Sequence, residues 1–362
     1  MTRLIDPTIA RAVARRMAGT APEDGSYLMD RLRADLAEAV PNSERLVAEA
    51  SGIPAPPPVP WGLIGRAEWA DANIAGMTAL LSPLEDKVGK RLDALPVAAR
   101  IAQRALVSIE VGVLLGYVSR RVLGQYDLLV PEGDDRPRRR RWARRGAPEG
   151  AVLYFVGPNI VDTERRFGFV PRDFALWVAL HEVTHRFQFD GVPWLRSRFL
   201  DLVGSYLDSI ELDPRTLARR LRSAAATIVS RSVPPEEKNP VYLLASDEQR
   251  RVLDDIQALM AVVEGHGNYV MDSIGAQVIP SMERMRGVFE RRREQTTGAQ
   301  RAIQYVIGLD MKLRQYELGQ RFCEAVVARQ GADVLGKLWV APSNLPTLAE
   351  LRQPELWLTR IA

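Results

Sequence analysis

The sequence predicts a mainly α-helical fold that carries a small β hairpin or sheet. Apolar residues recur at spacings of three and four over most of the chain, which is the period of a helix that buries one face. Strand candidates are few: two short runs rich in β-branched, aromatic and leucine residues. With 362 residues, of which 46% are hydrophobic and 26% charged, the chain has the composition of a globular protein with one large or two smaller domains.

The helical and strand patterns follow one another along the chain in a definite order. The predicted helices are residues 8–18, 26–50, 66–92, 96–123, 173–189, 194–208, 214–230, 247–275, 280–293 and 298–330. The predicted strands, 126–130 and 151–156, flank a loop and are expected to pair as a hairpin across it. The most apolar stretch, residues 105–118, predicts a core helix that is too short to cross a bilayer.

A proline-rich segment divides the chain. Residues 54–60 read Pro-Ala-Pro-Pro-Pro-Val-Pro, which predicts a stiff extended linker between an N-terminal helical segment, 1–53, and a larger domain, 61–362, that contains the motifs described below. Within that domain, residues 131–150 form a predicted loop with seven arginines between positions 136 and 145. Such a run is most often a solvated loop, but it also fits a surface that binds nucleic-acid phosphates, with Trp142 available for stacking.

The most informative motif is His181-Glu182-Val183-Thr184-His185, the HExxH pattern of zinc metallopeptidases. Residues four apart lie on one face of a helix, so both imidazoles can reach one Zn²⁺ at about 2.0 to 2.1 Å. Glu182 then lies beside the metal, where a carboxylate can take a proton from water. Residues 174–180 lead into the motif without Gly or Pro, and Asp173 is a plausible N-cap of the helix.

A catalytic zinc site needs a third protein ligand, and the candidates lie in one window. Glu264 and His266 are two residues apart, so on a regular helix they face in nearly opposite directions and one of them is expected to be the ligand. Glu264 is favoured, because the pattern E-G-x-[AG]-x-Y resembles the glutamate-bearing helix of the gluzincins. In the gluzincins, small residues after the ligand let this helix pack closely against the motif helix, and the resemblance implies the same packing here.

Other polar residues are candidates for supporting roles. Tyr269, Tyr316 and His266 are candidate donors to the oxyanion that develops on an attacked carbonyl. Arg186, directly after the second histidine, could act as a cation near the metal or as an anchor for a substrate carboxylate. Asp272 could hold a ligand histidine through its second ring nitrogen.

Several further stretches, in the same order, resemble a bacterial family of zincin-like hydrolases whose members are often labelled as associated with deazaflavin coenzyme biosynthesis. The stretches are 61–74, 122–127, 156–160, the HExxH helix with 193–195, 264–266, 315–322, and 345–347 with Trp357. The resemblance implies a largely helical zincin-like fold with an HExxH active-site helix and a zinc-dependent hydrolase activity. Zincins place an edge strand before this helix to align an extended peptide substrate, which suggests that role for residues 151–156.

These observations together predict a cytoplasmic zinc metallohydrolase, most simply a metallopeptidase. Zn²⁺ would be held by His181, His185 and Glu264, with Glu182 as general base and a peptide, small amide or ester as substrate. No apolar signal segment follows Met1, no membrane association is expected, and the single cysteine, Cys323, suits a reducing compartment as a small buried residue. A catalytically inactive zincin-like scaffold and a nucleic-acid-associated protein acting through residues 136–145 are the alternatives.

Overall fold

The computed structural model describes residues 4–21, 25–81, 84–85, 87–89, 96–128, 153–210, 244–294 and 309–362, without the side chains of residues 290, 292–294 and 309–316. The predicted helix 214–230, the beginning of the helix 298–330 and the arginine-rich loop 131–150 lie outside these residues. The predicted fold class is confirmed, because the described residues are mostly helical and contain one small three-stranded sheet.

The helices and strands are numbered here in chain order. They are α1 (Pro7–Ala18), α2 (Tyr27–Ala50), β1 (Trp61–Ile64), α3 (Arg66–Leu80), α4 (Val97–Ser119), β2 (Gly124–Tyr126), β3 (Leu153–Val156), α5 (Gly157–Phe167), α6 (Pro171–Gly191), α7 (Leu195–Asp208), α8 (Asp247–Val278), α9 (Met282–Glu294), α10 (Leu309–Gln330), α11 (Leu348–Arg352) and α12 (Pro354–Arg360). Two 3-10 segments, Ala332–Trp339 and Pro342–Asn344, precede α11. The chain divides into two compact units, Met1–Val192 with Val270–Val288, and Pro193–Tyr269 with Phe289–Ala362.

The sheet has the strand order β1-β3-β2. Strand β2 pairs with β3 antiparallel, with Gln125 opposite Tyr154, so the predicted pairing of the two strand segments is confirmed, although β2 begins earlier than expected. Strand β1 was not predicted, and it pairs with β3 in parallel, with Trp61 opposite Leu153. The expectation that residues 151–156 form an edge strand is wrong, because β3 is the middle strand and β2 lies at an edge.

The helix α4 packs against α1 through two glycines. A Cβ on Gly112 would lie 2.6 Å from the carbonyl oxygen of Ala10, and a Cβ on Gly116 would lie 2.5 Å from the Cβ of Met17. Since both separations are shorter than real Cβ contacts, only glycine allows the two helices to approach this closely.

The opposite face of α4 is apolar and exposed, so the prediction that residues 105–118 form a core helix is wrong. Leu106, Ile109 and Val113 are 56%, 42% and 41% exposed. An apolar composition around the whole helix does not show which face is packed, and here the face lined by small residues meets α1. By length and composition alone, α4 is the one helix in the described part of the chain that could cross a membrane, and 22% of its most apolar window is buried.

The helix α6 carries the HExxH motif and packs against α2. It begins at Pro171, two residues before the predicted start, because proline supplies the fixed φ of a first helical residue. Asp173 is therefore in the first turn and is not the N-cap. Its carboxylate accepts hydrogen bonds from the backbone N–H of Ser281 at 3.0 Å and from the Ser281 hydroxyl at 2.5 Å.

Arg186 connects α6 to the N-terminal segment and to the proline-rich linker. Its side chain is 1% exposed, forms an ion pair with Glu44 at 3.0 Å and donates to the carbonyl oxygen of Pro57 at 2.8 Å. Burial lowers the pKa of Arg186, and the charge of Glu44 opposes that shift. The guanidinium is committed to these contacts inside the fold, so the expectation of a substrate anchor is not supported.

In the second unit, α8 and α10 cross at glycines. A Cβ on Gly265 would lie 2.1 Å from the carbonyl carbon of Gly319, so both backbones meet without side chains between them. Gly265 therefore permits a close crossing of α8 with α10. Cys323 on α10 is fully buried, as predicted, and burial raises the pKa of its thiol well above the usual range.

Candidate metal centre

The two motif histidines project from consecutive turns of α6 and face each other. Their rings are half-buried, with centroids 4.6 Å apart and planes at 86°. The Nε2 atoms of His181 and His185 lie 3.2 Å apart. Four zinc bonds of about 2.0 to 2.1 Å arranged as a tetrahedron separate neighbouring ligand atoms by about 3.3 Å, so the separation of this pair fits one zinc ion.

Residues of the same helix hold both rings. Nδ1 of His185 is 2.9 Å from Oε1 of Gln188, which lies one turn further along α6. Because an amide oxygen only accepts hydrogen bonds, this contact assigns the proton of a neutral His185 to Nδ1 and leaves the lone pair on Nε2. Trp177, one turn before His181, stacks on its ring at a centroid distance of 6.3 Å with an interplanar angle of 11°.

A carboxylate completes a group of three residues that could hold a metal. One ligand atom each from His181, His185 and Glu264 lies within 4.8 Å of the others. Glu264 is buried on α8. Two histidines and one glutamate are the ligand set of a common class of catalytic zinc sites, which leaves a fourth position for water or substrate.

Glu182, the central residue of the motif, is buried and lies against strand β2. A Cβ on Gly124 would be 2.5 Å from Cγ of Glu182 and 2.7 Å from its Oε1. Ordinary van der Waals contact begins at 3.4 Å, so the carboxylate occupies space that any other residue at position 124 would need. Glycine at the first position of β2 therefore brings the strand directly alongside the carboxylate.

The pairing of β2 with β3 determines where the backbone of Gly124 points. Val156 N–H donates to the carbonyl oxygen of Leu123 at 2.8 Å, and Gly124 lies opposite Phe155. In an antiparallel ladder, hydrogen-bonded and non-hydrogen-bonded pairs alternate, so Gly124 and Phe155 form a non-hydrogen-bonded pair. The N–H and C=O of Gly124 consequently point away from β3, towards the outer side of this edge strand.

The remaining predicted site residues differ in their surroundings. His266 is 1% exposed and lies edge-on against Trp339, with centroids 4.9 Å apart. Tyr269 is half-buried on α8, about 140° around the helix from Glu264. The side chain of Tyr316 lies outside the described residues. Asp272 pairs with Arg286 at 3.0 Å, and the bond to Nδ1 of His185 comes from Gln188 instead.

Two residues of the site were not identified from the sequence. Gln188 follows His185 by three positions, and side chains three apart on a helix are neighbours, so a local signal was present. Gly124 gives no such signal. It is 58 positions before Glu182 in the numbering and meets it only through the sheet.

Comparison with known proteins gives two similarities that extend over nearly the whole chain. A model of the zincin-like metallopeptidase family matches residues 5–358. A protein from Chloroflexus aurantiacus, whose crystal structure is described as that of a putative hydrolase with a novel fold, is 32% identical. The alignment covers 99% of this chain and 98% of that chain, with a TM-score of 0.69. A comparison with curated proteins found no match.

Proposed function

The chain belongs to the zincin-like metallopeptidase family, and from this membership we propose that it is a zinc-dependent hydrolase that cleaves peptide bonds. The observation that carries the proposal is the grouping of His181, His185 and Glu264, because three such ligand atoms within 4.8 Å of one another suit one zinc ion. We assign these three residues as the ligands. When bound, zinc supplies a Lewis acid that polarises a carbonyl group and makes water more acidic.

Glu182 is the proposed general base. It follows a ligand histidine directly, so it lies beside the metal ligands and is not one of them. Its carboxylate would take a proton from the attacking water and deliver that proton to the leaving amine. Contact with Gly124 restricts the positions that this carboxylate can adopt, which supports a role that requires fixed placement. A scaffold that only bound metal would have no chemical need for a base at this position.

An extended peptide is the substrate class that the surroundings of Glu182 favour. Strand β2 is at an edge of the sheet, and the backbone N–H and C=O of Gly124 point outward from it. An extended chain that pairs with an edge strand gains main-chain hydrogen bonds, and here it would lie next to the proposed base. This arrangement favours a peptide over a small ester, which has no second backbone group to pair.

Metal analysis together with a substrate screen tests the proposed function. We expect the purified protein to contain one Zn²⁺ per chain and to cleave members of a broad peptide library. The protein stripped with a chelator should be inactive and should recover activity with added zinc. Less than about 0.2 zinc per chain after reconstitution would refute the mononuclear site. Bound zinc without cleavage of any peptide or ester would favour the inactive scaffold.

Replacing Gly124 by alanine should reduce cleavage without removing zinc. The added methyl group would lie 2.5 Å from Cγ of Glu182, so the carboxylate would have to move. A displacement of about 1 Å at a reacting group can cost about 10²-fold, and we expect a loss of that order in kcat/KM.

The matched control for this variant is Gly204→Ala on α7, where an added Cβ meets no atom within 4 Å. Because the added methyl group displaces no atom, Gly204→Ala should retain full activity. Its stability should be unchanged or slightly higher, because alanine favours helix. Equal activity of Gly124→Ala and the wild type would show that β2 does not constrain the base. Loss of zinc from Gly124→Ala would point to general damage to the site.

A further inference from the structure

The geometry points to Gln188 as a positioning residue that holds His185 in the tautomer a metal requires. Its amide oxygen lies 2.9 Å from Nδ1 of His185, and the Nε2 atom on the other side of the ring faces His181. The metal part of the inference rests on the proposed function, since it assumes a divalent zinc-like ion at Nε2. The tautomer part concerns the protein alone.

The burial of Gln188 limits the hydrogen-bond partners that its amide and the His185 ring can find. The side chain of Gln188 is 0% exposed, so water does not replace a partner that the fold fails to provide. The amide can present either its oxygen or its NH₂ group to the ring. The oxygen requires the proton on Nδ1 and frees Nε2 as a ligand, whereas the NH₂ group would require the proton on Nε2 and would block that ligand atom.

The neutral charge of Gln188 also has a consequence for the metal. Ligand histidines frequently donate their second ring N–H to a carboxylate, which makes the ring a more basic ligand. An amide fixes the same tautomer with a weaker acceptor and adds no negative charge to the buried site. Gln188 would therefore orient His185 while leaving a bound metal ion more electron-poor than a glutamate at this position would.

Imidazole ¹⁵N NMR on the metal-free protein tests the tautomer directly. The chain has three histidines, so the spectrum contains six ring nitrogens, and a His185→Ala sample assigns the two of interest. The measurement is made near pH 8.5, about two units above the ordinary histidine pKa of about 6.5. We expect the wild-type His185 proton on Nδ1 and a substantial Nε2–H population in Gln188→Met. A wild-type His185 that carries its proton on Nε2 would overturn the inference.

Zinc affinity gives the second readout. Loss of a group that orients a metal ligand typically costs 10 to 100-fold in affinity, and we expect about that loss for Gln188→Met. Gln188→Glu retains an acceptor and should bind zinc at least as tightly as the wild type. If Gln188→Met binds zinc with unchanged affinity and keeps the Nδ1–H tautomer, Gln188 has no positioning role.

Gln249 offers a matched control, because it is also a buried glutamine bonded through both ends of its amide. Its oxygen accepts from the Ser246 N–H at 2.7 Å, and its NH₂ group donates to the Ser209 carbonyl at 2.9 Å. Gln249→Met should lower stability without changing zinc affinity or the His185 tautomer. If wild-type protein binds no zinc, the proposed function fails while the NMR result still decides the role of Gln188.

Discussion

Replacing Glu182 by glutamine should abolish hydrolysis while leaving zinc and the fold in place. The amide keeps the size and shape of the carboxylate that lies against Gly124, but it lacks the basic oxygen needed to accept a proton from water. Removal of a general base typically costs 10² to 10⁴-fold, and we expect a decrease in kcat within that range. Steady-state cleavage of the best library peptide, at matched zinc content, measures it.

Two controls make this experiment decisive. Metal content and thermal unfolding of Glu182→Gln should match the wild type, since neither a ligand nor a large contact is removed. The chelated wild-type protein gives the rate without zinc. If Glu182→Gln cleaves as fast as the wild type, Glu182 is not the base and the proposed mechanism is wrong.

Replacing Glu264 by alanine should weaken zinc binding far more than the same change at His266. Glu264 belongs to the group of three possible ligands, whereas His266 is buried against Trp339. Loss of a supporting residue typically costs 10 to 100-fold in metal affinity, and the loss of a direct ligand should exceed that range. Competition with a chelator of known affinity measures both variants.

The order of the two effects identifies the third ligand. His266→Ala removes a ring packed against Trp339, so it should lower stability and retain zinc. A larger loss of zinc in His266→Ala than in Glu264→Ala would move the ligand to His266. Anomalous scattering at the zinc edge of a crystal would locate the ion relative to both residues.

Periodicity predicted the long helices because each of them presents a repeated apolar face. The motif helix was placed at residues 173–189 and extends from Pro171 to Gly191, which is an error only at its ends. Helix α5 was missed because it begins with Gly157-Pro158, a pair that suggests a loop although proline also starts helices. Strand β1 was missed because four residues after a proline-rich segment carry too little pattern, and its partner is remote.

The candidate site was predictable where it is local in sequence. The histidine pair follows from its spacing alone, and the two Nε2 atoms lie 3.2 Å apart as one metal ion requires. The contact of Gly124 with Glu182 depends on tertiary packing, and no spacing rule reports it. The exposed apolar face of α4 was not predictable for the same reason, since the composition of a helix does not show which of its faces other elements cover.

The parallel pairing of β1 with β3 has a consequence for the order in which contacts form while the protein is being synthesised. Trp61 pairs with Leu153, so a nascent chain releases β1 from the ribosome long before its partner strand exists. Contacts between such distant residues form late, because a long loop must close first. Strand β2, which lies against Glu182, is held in the sheet by the same β3. All three strands precede Glu182 in the chain, so the whole sheet that lies against the proposed base is synthesised before the base itself.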